Sequence, residues 1–581
     1  MHDSFLKIVE EIYKLLEEPI GIIYKQTAIN YYKAQLSIGK SGSFAEYYFN
    51  MLQNKKEKGL VYTPLEIARY IIENTIRKED IINNAFLRIL DPACGCGNII
   101  IPCFLFLKNL YVHNMEEINI KNKLKLTKDN LGSHIVKNNL FGFDIDEISL
   151  KILTIDLFNI SKSISFNNFI NKDFLTEEKE EIFDVIIGNP PYIGQKNMDK
   201  QYAQRLKELY KGLYLDKGDI SYCFFGAALN SLKQKGKLAF ITSRYFIEAP
   251  SGQILRKIIK HNFAIDKIVD FYGVRPFKNT GIDPMIIFSE KAGENKEIEI
   301  IKPLINKEKQ FCEALYKGKE DNINKFYINK ESLKQEGWRL RNNAEEAIIK
   351  KIEERCVTVL NNICFSYQGI ITGCDKAFVV DKTAIAEEAF EKELIKPWIK
   401  SSSVEKFKVR DTDKFIIYSD DIDEEEKYKN SIKHIEVFKE RLLERRECRN
   451  GIRAWYKLQW GRNKKIFEGE KIVFPFKASN NRFAYDLGSY FSADVYCLIL
   501  KPSNVYTYEF LLKLLNSKLY EFYFKSFAKK LGENLYDYYP NNLMKLCIPA
   551  LIDTNEASDS QLYTYFNITK NEAEIIEQYI G

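Results

Sequence analysis

Short apolar runs alternate with longer segments of helical character from residue 88 to about residue 289, and this pattern constrains the fold most strongly. Strands that alternate with helices form a parallel sheet, which the helices cover on both faces. The sequence therefore predicts an α/β domain in this part of the chain. We expect its strands at residues 88–91, 140–144, 183–188, 237–242, 265–271 and 284–289.

The other parts of the 581-residue chain differ from this domain in composition. Residues 1–58 are amphipathic without strand signals, which indicates a helical lead-in. The stretch from about residue 296 to residue 343 is charged and irregular, so we predict a linker at 300–356. Residues 357–581 are rich in aromatic and basic side chains, and we expect a second folded domain there. The α/β domain then spans residues 59–299.

Composition excludes several classes of protein. Hydrophobic residues make up 45% of the chain and charged residues 29%, which is typical of a folded globular protein rather than a disordered one. The longest apolar run, residues 99–107, has nine residues and contains Pro102, whereas a membrane-spanning helix needs about 20. Residues 1–18 lack the apolar core and cleavage site of a secretory signal. We therefore expect a cytoplasmic protein without a membrane anchor.

Cysteine and histidine usage does not suggest a metal site. The chain has 11 cysteines and 5 histidines, and no histidine lies near a Cys-x-x-Cys pair. Cys94 and Cys96 form the one close pair, and two thiolates alone cannot complete a zinc site. We predict that no metal is bound and that the cysteines are reduced.

The first motif that indicates chemistry is RILDPACGCGN at residues 88–98. It consists of a strand, a turn of small residues and the start of an apolar helix, and such a turn lets a ligand approach the backbone. A second strand ends about fifty residues later at Asp144, where a carboxylate can accept both hydroxyls of a ribose. Each signal alone is weak, because a Gly-x-Gly turn is more often a plain tight connection.

The second motif, FDVIIGNPPYIG at residues 183–194, is more specific. Its apolar strand places Asn189 at the carboxyl end, where ligands bind in open α/β sheets. Asn189 Oδ1 and the Pro190 carbonyl could accept both hydrogens of one exocyclic amino group, and Tyr192 offers a ring face to a planar base. The alternative is a proline turn with a capping asparagine and a half-buried tyrosine.

Together, DPACGCG and NPPY resemble the gamma class of S-adenosylmethionine-dependent DNA adenine-N6 methyltransferases, and GLVYTP at residues 59–64 resembles the motif that precedes their sheet. Residues 368–378, 459–462 and 491–496 extend the similarity to clostridial orphan adenine methyltransferases of the CamA kind. The resemblance implies a Rossmann-like methyltransferase sheet with helices on both faces at 59–299. It also implies a C-terminal target recognition domain of mixed α+β structure at 357–581.

The resemblance further implies roles for individual residues. Asn189, Pro190, Pro191 and Tyr192 would be catalytic. Asp144 would bind the ribose, Asp173 would accept the cofactor's adenine N6, and Phe174 would pack on that ring. The full set of implied S-adenosylmethionine contacts is Tyr62, Thr63, Pro64, Asp91, Ala93, Cys94, Gly95, Gly97, Asp144, Ile145, Asp173, Phe174 and Asn189. The target base would leave the duplex to reach the site.

Basic and aromatic residues concentrate at residues 439–465, where ten Lys or Arg face three Glu, although the net charge of the whole chain is only +6. Such a mixture suits contacts to phosphates and bases. A solvated helix face explains its first nine residues nearly as well. A second basic loop, residues 195–217, follows the NPPY motif. The predicted DNA contacts are Lys196, Arg449, Arg453, Trp455, Tyr456, Trp460 and Arg462.

The sequence thus favours a site-specific DNA adenine-N6 methyltransferase whose partner is double-stranded DNA, associated with the nucleoid through that DNA, with no obligate protein partner and no nuclease domain. Three alternatives stay open. The chain could be the methylase component of a restriction-modification system. It could act on a protein or RNA amino group, though its long basic C-terminal region argues against this. It could also be a DNA-binding regulator with a degenerate cofactor fold, which the intact NPPY motif opposes.

Overall fold

The structure, a computed structural model, divides into two compact units, Met1–Leu340 and Arg341–Gly581. It describes residues 2–39, 41–52, 62–193, 198–215, 218–277, 281–304, 308–502, 504–531, 535–551 and 558–580. No helix in these ranges combines the length and apolar character needed to cross a membrane.

A nine-stranded mixed sheet forms the centre of the first unit, in the order β3-β2-β1-β4-β5-β7-β6-β8-β9. The strands are β1 (Ile89–Asp91), β2 (Leu140–Asp144), β3 (Phe169–Asn171), β4 (Phe183–Gly188), β5 (Leu232–Ser243), β6 (Phe263–Asp270), β7 (Pro284–Lys291), β8 (Glu297–Pro303) and β9 (Ile323–Asn329).

Helices cover both faces of this sheet. Ile89 faces one apolar layer and Leu90 the other, as the alternation of side chains along a strand requires. The helices are α1 (His2–Glu17), α2 (Ile22–Gln35), α3 (Phe44–Met51), α4 (Leu65–Thr75), α5 (Lys78–Asn83), α6 (Ile100–His113), α7 (Met115–Asn122), α8 (Lys128–Asn138), α9 (Glu147–Ser161), α10 (Lys200–Leu209), α11 (Ser221–Ser231), α12 (Tyr245–Glu248), α13 (Gln253–Asn262) and α14 (Glu308–Lys317).

The predicted α/β fold class is confirmed, with one correction to the sheet. Strands β3, β2, β1, β4 and β5 run parallel, but β7 pairs antiparallel with both β5 and β6. Since β6 and β7 are joined by a loop and not by a crossover helix, they can only lie antiparallel beside each other. Strands β3, β8 and β9 were not among those we predicted.

The segment predicted as a linker, residues 300–356, differs most from expectation. β8 pairs parallel with β6 and antiparallel with β9, so this segment extends the sheet. Ile298 and Ile300 are buried while Glu299 between them pairs with Lys267 and Lys325. The charged residues made the stretch look irregular, although in β8 Glu297 and Glu299 alternate with the buried Ile298 and Ile300, as in a strand. The two units divide inside this range, at Leu340.

The second unit contains a five-stranded sheet, β11-β20-β16-β18-β14, a four-stranded sheet, β12-β15-β13-β19, and the two-stranded pairs β10-β22 and β17-β21. The strands are β10 (Cys356–Val359), β11 (Cys364–Gln368), β12 (Val379–Asp381), β13 (Ile395–Ile399), β14 (Phe407–Lys408), β15 (Lys414–Ile417), β16 (Glu470–Pro475), β17 (Lys477–Ala478), β18 (Ala484–Leu487), β19 (Tyr490–Phe491), β20 (Val495–Leu500), β21 (Tyr536–Asp537) and β22 (Cys547–Pro549).

Helices interrupt these strands, which agrees with the mixed α+β structure expected for this region. They are α15 (Asn343–Arg355), α16 (Leu360–Ile363), α17 (Asp375–Phe378), α18 (Lys382–Glu388), α19 (Lys429–Glu436), α20 (Lys439–Leu443), α21 (Arg446–Arg449), α22 (Lys465–Glu468), α23 (Tyr508–Asn516), α24 (Lys518–Lys525), α25 (Pro540–Leu543), α26 (Asp559–Tyr565) and α27 (Lys570–Ile580). Aromatic side chains of α23 and α24 fill one of its two cores, and residues between Ile370 and Cys497 form the other.

Candidate functional site

Polar side chains collect at the carboxyl edge of the parallel strands in the first unit. Asp91 ends β1, Asp144 ends β2, and Asn189 directly follows β4. β1 lies between β2 and β4, so the chain turns to opposite sides of β1 and leaves a crevice at this edge. In open α/β sheets such a crevice is where ligands bind.

A cavity of about 560 Å³ occupies this crevice. The predicted residues that line it are Tyr62, Thr63, Asp91, Ala93, Cys94, Gly95, Asp144, Ile145, Asp173, Phe174, Asn189 and Pro191. Within the described ranges, Pro64, Gly97, Pro190 and Tyr192 do not belong to the lining, although each adjoins a residue that does. The structure thus brings together residues that are up to 129 positions apart in the sequence.

The two glycines of the first turn have different roles. Both have positive φ, +50° at Gly95 and +89° at Gly97, which disfavours any residue with a side chain. A Cβ at Gly97 would lie 2.3 Å from Leu153 Cδ1, so this glycine lets the turn pack on α9. A Cβ at Gly95 would meet nothing within 4 Å, because it would point into open space. Gly95 therefore leaves room for a ligand against the backbone.

Asp144 ties that turn to the end of β2. The backbone N–H of Gly95 donates to its Oδ2 at 2.8 Å, and the N–H of Asp146 donates to its Oδ1 at 2.8 Å. Burial raises the pKa of Asp144, and the two N–H donors oppose that rise. Each carboxylate oxygen has a second lone pair, so the group can still accept hydroxyl hydrogens from a ligand in the cavity.

Burial raises the pKa of three side chains at the turn, Asp91, Cys94 and Cys96. Asp91 is 2% exposed, and burial raises its pKa to about 7 although the N–H of Ala93 donates to it at 3.2 Å. Burial also raises the pKa of the Cys94 thiol, and that of Cys96 to about 12. Because burial raises their pKa, both thiols are protonated near neutral pH. Across the described ranges, no three or more His, Cys, Asp and Glu side chains cluster as metal ligands.

Asp173 and Phe174 form one wall of the cavity, after β3. Phe174 is buried, with its ring 5.3 Å from that of Phe143. Asp173 Oδ2 accepts a hydrogen bond at 3.0 Å from Tyr202, a residue of α10 that also lines the cavity. Burial and the neighbouring carboxylate raise the pKa of Tyr202, so its hydroxyl stays protonated. Tyr202 is a lining residue that the sequence did not predict.

Asn189 lies between two hydroxyl groups. Its Nδ2 donates to Thr63 Oγ1 at 3.1 Å, and its Oδ1 accepts from the Tyr192 hydroxyl at 2.6 Å. Thr63 is buried just before α4, so the asparagine amide is held from a part of the chain 126 residues away. Burial raises the pKa of Tyr192, which keeps this phenol a donor. The amide oxygen therefore has a defined orientation at the end of β4.

Helix α3 supplies a further wall that the sequence analysis missed, since residues 1–58 were expected only to lead into the domain. Tyr48 and Phe49 of α3 line the cavity. Asp156 of α9 accepts from the N–H groups of Phe44 and Ala45 at 3.1 and 3.0 Å, which fixes the N-terminus of α3. A serine N-cap and an apolar face mark α3 as a helix, but neither feature indicates where it packs.

The basic segment of the second unit uses many of its charges internally. Arg453 pairs with Asp420 at 3.0 Å and also donates to the Leu458 carbonyl. Arg445, which was not among the predicted contacts, donates to the carbonyls of Leu442, Thr372, Trp455 and Lys457.

The remaining predicted DNA contacts differ in exposure. Trp455 and Tyr456 are half-buried and pack on the core of the second unit, whereas Arg449, Trp460 and Arg462 are exposed. Lys196 lies outside the described residues. Of the six predicted side chains that fall within the described residues, three are therefore exposed to solvent.

Comparisons with known proteins give one family match in each of the two units. Residues 126–277 match the family model of the Eco57I restriction-modification methylase, and residues 396–548 match that of the TaqI-like C-terminal specificity domain. The chain is 23% identical over 568 residues to the Type II methyltransferase M.BstVI of Geobacillus stearothermophilus, covering 89% of this chain and 98% of that protein. It is 26% identical over 424 residues to the Type II methyltransferase M.HindII of Haemophilus influenzae, covering 68% and 80%.

Among solved structures, the DNA complex of the Type IIL restriction-modification enzyme MmeI is similar in fold. The TM-score is 0.59 at 13% identity, over 93% of this chain and 76% of that one. The broader part of the predicted resemblance, to restriction-modification DNA methyltransferases with a specificity domain, is thus confirmed. The narrower part, to orphan adenine enzymes, stays a prediction.

Proposed function

We propose that the protein is a site-specific DNA methyltransferase that transfers a methyl group from S-adenosylmethionine to the N6 atom of an adenine flipped out of double-stranded DNA. The placement of Asn189 carries this proposal. Its amide oxygen lies at the carboxyl end of β4 on the wall of a 560 Å³ cavity, oriented by Thr63 and Tyr192.

The cavity fits the proposed cofactor in several respects. The open space beside Gly95 leaves room for part of the cofactor to lie against the turn. Asp144 offers acceptors for the ribose hydroxyls. Phe174 offers an aromatic ring on which the cofactor's adenine could pack, and the adjacent Asp173 offers an acceptor for its amino group. Tyr202 already donates to that carboxylate, so an adenine amino group would share or replace its hydrogen bond. When bound, S-adenosylmethionine supplies an electrophilic methyl group.

The residues around Asn189 suit a target amine that is a weak nucleophile. The lone pair of an adenine N6 is delocalised into the ring, and acceptors on its two hydrogens favour the pyramidal form that attacks. We assign these two acceptor roles to Asn189 Oδ1 and the Pro190 carbonyl. The amine would displace the Tyr192 hydroxyl from Oδ1. Tyr192 can then stack on the flipped base. Because the methyl group is already electrophilic, the rate depends mainly on positioning the amine in line with it, and no general base is required.

A second candidate is the same chemistry within a restriction-modification system, with a separate nuclease. The similarity to M.BstVI and M.HindII favours this companion role over an orphan enzyme. A protein or RNA amino-group methyltransferase is less well supported, because residues 396–548 match a specificity domain of DNA methylases.

The test is to incubate the purified chain with S-adenosylmethionine and unmethylated plasmid, and then to digest the DNA for nucleoside mass spectrometry. We expect N6-methyladenine, and none with the Asn189→Ala variant. Methylation-sensitive sequencing of the same DNA gives the target site. Methylated cytosine, or no methylated base at all, would refute the proposal.

A further inference from the structure

Three segments of the second unit that are far apart in the sequence pair with one another, and we define the platform that they form as residues 368–372, 459–462 and 491–495. Trp460 and Arg462 are its exposed residues. The N–H of Gly369 donates to the Val495 carbonyl at 3.0 Å, and that of Ile370 donates to the Phe491 carbonyl at 2.8 Å. Ile371 and Trp460 exchange backbone hydrogen bonds at 3.1 and 2.9 Å. Backbone pairing of this kind makes the platform rigid.

Glycines allow the segments of the platform to approach this closely. A Cβ at Gly369 would lie 2.2 Å from the Ser492 carbonyl oxygen, and one at Gly461 would lie 2.2 Å from Asp420 Oδ2. A larger residue at Gly369 would force the two backbones apart, and one at Gly461 would displace the Asp420 carboxylate. The backbone positions from which side chains project from the platform are therefore fixed.

Arg462 projects from this platform with one edge of its guanidinium already held. Nε donates to the Gly369 carbonyl at 3.2 Å, and Nη2 donates to Gln368 Oε1 at 3.0 Å. Gln368 is fixed in turn, because its Nε2 donates to the Ala493 carbonyl at 3.1 Å. Arg462 also has a φ of +66°, an uncommon conformation that a residue with a side chain keeps only when its surroundings impose it.

The opposite edge of the guanidinium remains available. Nη1 carries two hydrogens and Nη2 carries a second one, and the side chain is exposed. Within the described ranges no carboxylate forms a salt bridge with Arg462, in contrast to Arg453, which pairs with Asp420. Two parallel N–H groups on a rigid arginine match the O6 and N7 acceptors of guanine in the major groove.

We propose that Arg462 reads a guanine of the target site and that Gln368 is its positioning residue. The inference rests on the proposed function, since it assumes a DNA substrate. A phosphate contact needs only a charge on a flexible stem, whereas a base edge must be met at a fixed distance and angle. The bracing of Arg462 by Gln368 and Gly369 supports the second role.

The experiment begins with the sequence that the wild-type chain methylates. Fluorescence anisotropy then measures the affinity of the full chain for that duplex, and for duplexes with one base pair replaced or one guanine changed to 7-deazaguanine, which lacks the N7 acceptor. We expect one guanine at which replacement weakens wild-type binding by about 10-fold or more. The Arg462→Ala variant should lose a similar factor on the cognate duplex and become indifferent to that guanine and to its 7-deaza form.

Three variants serve as comparisons, and thermal melts check that each is folded. Arg462→Lys keeps the charge without the two-pronged edge, so it should lose discrimination while retaining the salt dependence of the parent. Gln368→Ala should weaken discrimination at the same base pair, and adding it to Arg462→Ala should cause no further loss. Arg449→Ala, an exposed arginine of the same region, should weaken binding to all duplexes alike.

Several results would overturn the proposal. These are a target site without a required guanine, an Arg462→Ala variant that binds like the parent, and an equal loss on every duplex with a shallower salt dependence. The last result would make Arg462 a phosphate contact. Failure of the proposed function itself is seen earlier, because the wild-type chain would then methylate no DNA.

Discussion

The cavity of the first unit and the basic segment of the second, residues 439–465, differ in where their polar groups point. In the cavity, Asp144 and Asn189 are held by other groups of the protein and still present oxygens toward open volume. In the basic segment, Arg445 and Arg453 direct their guanidinium groups to carbonyls and a carboxylate of their own unit. A polar side chain held in place thus has a ligand role only where its free atoms face space that a ligand can enter.

The comparison predicts that changes in the cavity reduce the methylation rate or cofactor binding, and that changes at the inward-directed arginines of the basic segment reduce stability. The strongest expected effect is that of Asn189→Ala, which removes the acceptor aimed at the target amine. We expect a loss of 100-fold or more in the methylation rate with little change in cofactor affinity. Single-turnover assays and calorimetry measure the two quantities. A variant with near-normal turnover would show that Asn189 is only a turn residue.

Tyr192 distinguishes stacking from hydrogen bonding at the same site. Tyr192→Ala removes the ring, and we expect the rate to fall roughly 10- to 100-fold. Tyr192→Phe removes only the hydroxyl that donates to Asn189 and should keep much of the activity. Rates of both variants on one duplex provide the test. An inactive phenylalanine variant would indicate that the hydroxyl is needed to orient the Asn189 amide.

Asp144→Ala should weaken S-adenosylmethionine binding by roughly 10-fold or more, because a half-buried carboxylate is lost from the ribose end of the cavity. The change also leaves the N–H groups of Gly95 and Asp146 without their acceptor, so we expect some loss of thermal stability. Asp144→Asn keeps one acceptor and serves as the matched control. Unchanged affinity in the alanine variant, measured by calorimetry, would contradict the ribose role.

Asp173→Ala should have a smaller effect on cofactor affinity, roughly 3- to 10-fold, since Phe174 would still pack on the adenine. Tyr202→Phe removes only the hydroxyl that donates to the Asp173 carboxylate. It therefore shows how much of the effect of Asp173→Ala comes from losing this hydrogen bond and how much from losing a contact to the cofactor. Calorimetry on the two variants ranks them against Asp144→Ala. A loss for Asp173→Ala that equals or exceeds the loss for Asp144→Ala would reverse the predicted order.

The smallest effects are expected for Arg453 and Arg449, two arginines of the basic segment. Arg453→Ala removes the salt bridge to Asp420 and should lower the free energy of unfolding by roughly 1–3 kcal/mol, with the salt dependence of DNA binding unchanged. Arg449→Ala should instead leave stability intact and reduce the slope of log affinity against log salt by about one unit. Thermal melts and salt titrations measure both variants. A shallower slope for Arg453→Ala would show that DNA displaces its ion pair.

Local patterns in the sequence determined much of the first unit. The motifs DPACGCG and NPPY each form a turn at the carboxyl end of an apolar strand, and the carboxyl ends of parallel strands must share one edge of the sheet. Their residues therefore line one cavity, although their roles there remain predictions. The ranges predicted for β2 and β4 agree with the structure, since a strand inside a parallel sheet has a largely continuous apolar sequence.

Only the tertiary structure decided which groups pack against these elements. The segment expected as a linker, 300–356, contributes to β8 and β9 of the sheet. The sequence could not show this, because it does not indicate which strands β8 and β9 pair with. Helix α3 becomes a wall of the cavity through Asp156, 112 residues beyond its first residue. Arg453 is directed inward by Asp420 while Arg462 points outward. Charge and period are local properties of a sequence, whereas hydrogen-bond partners and exposure depend on contacts between distant residues.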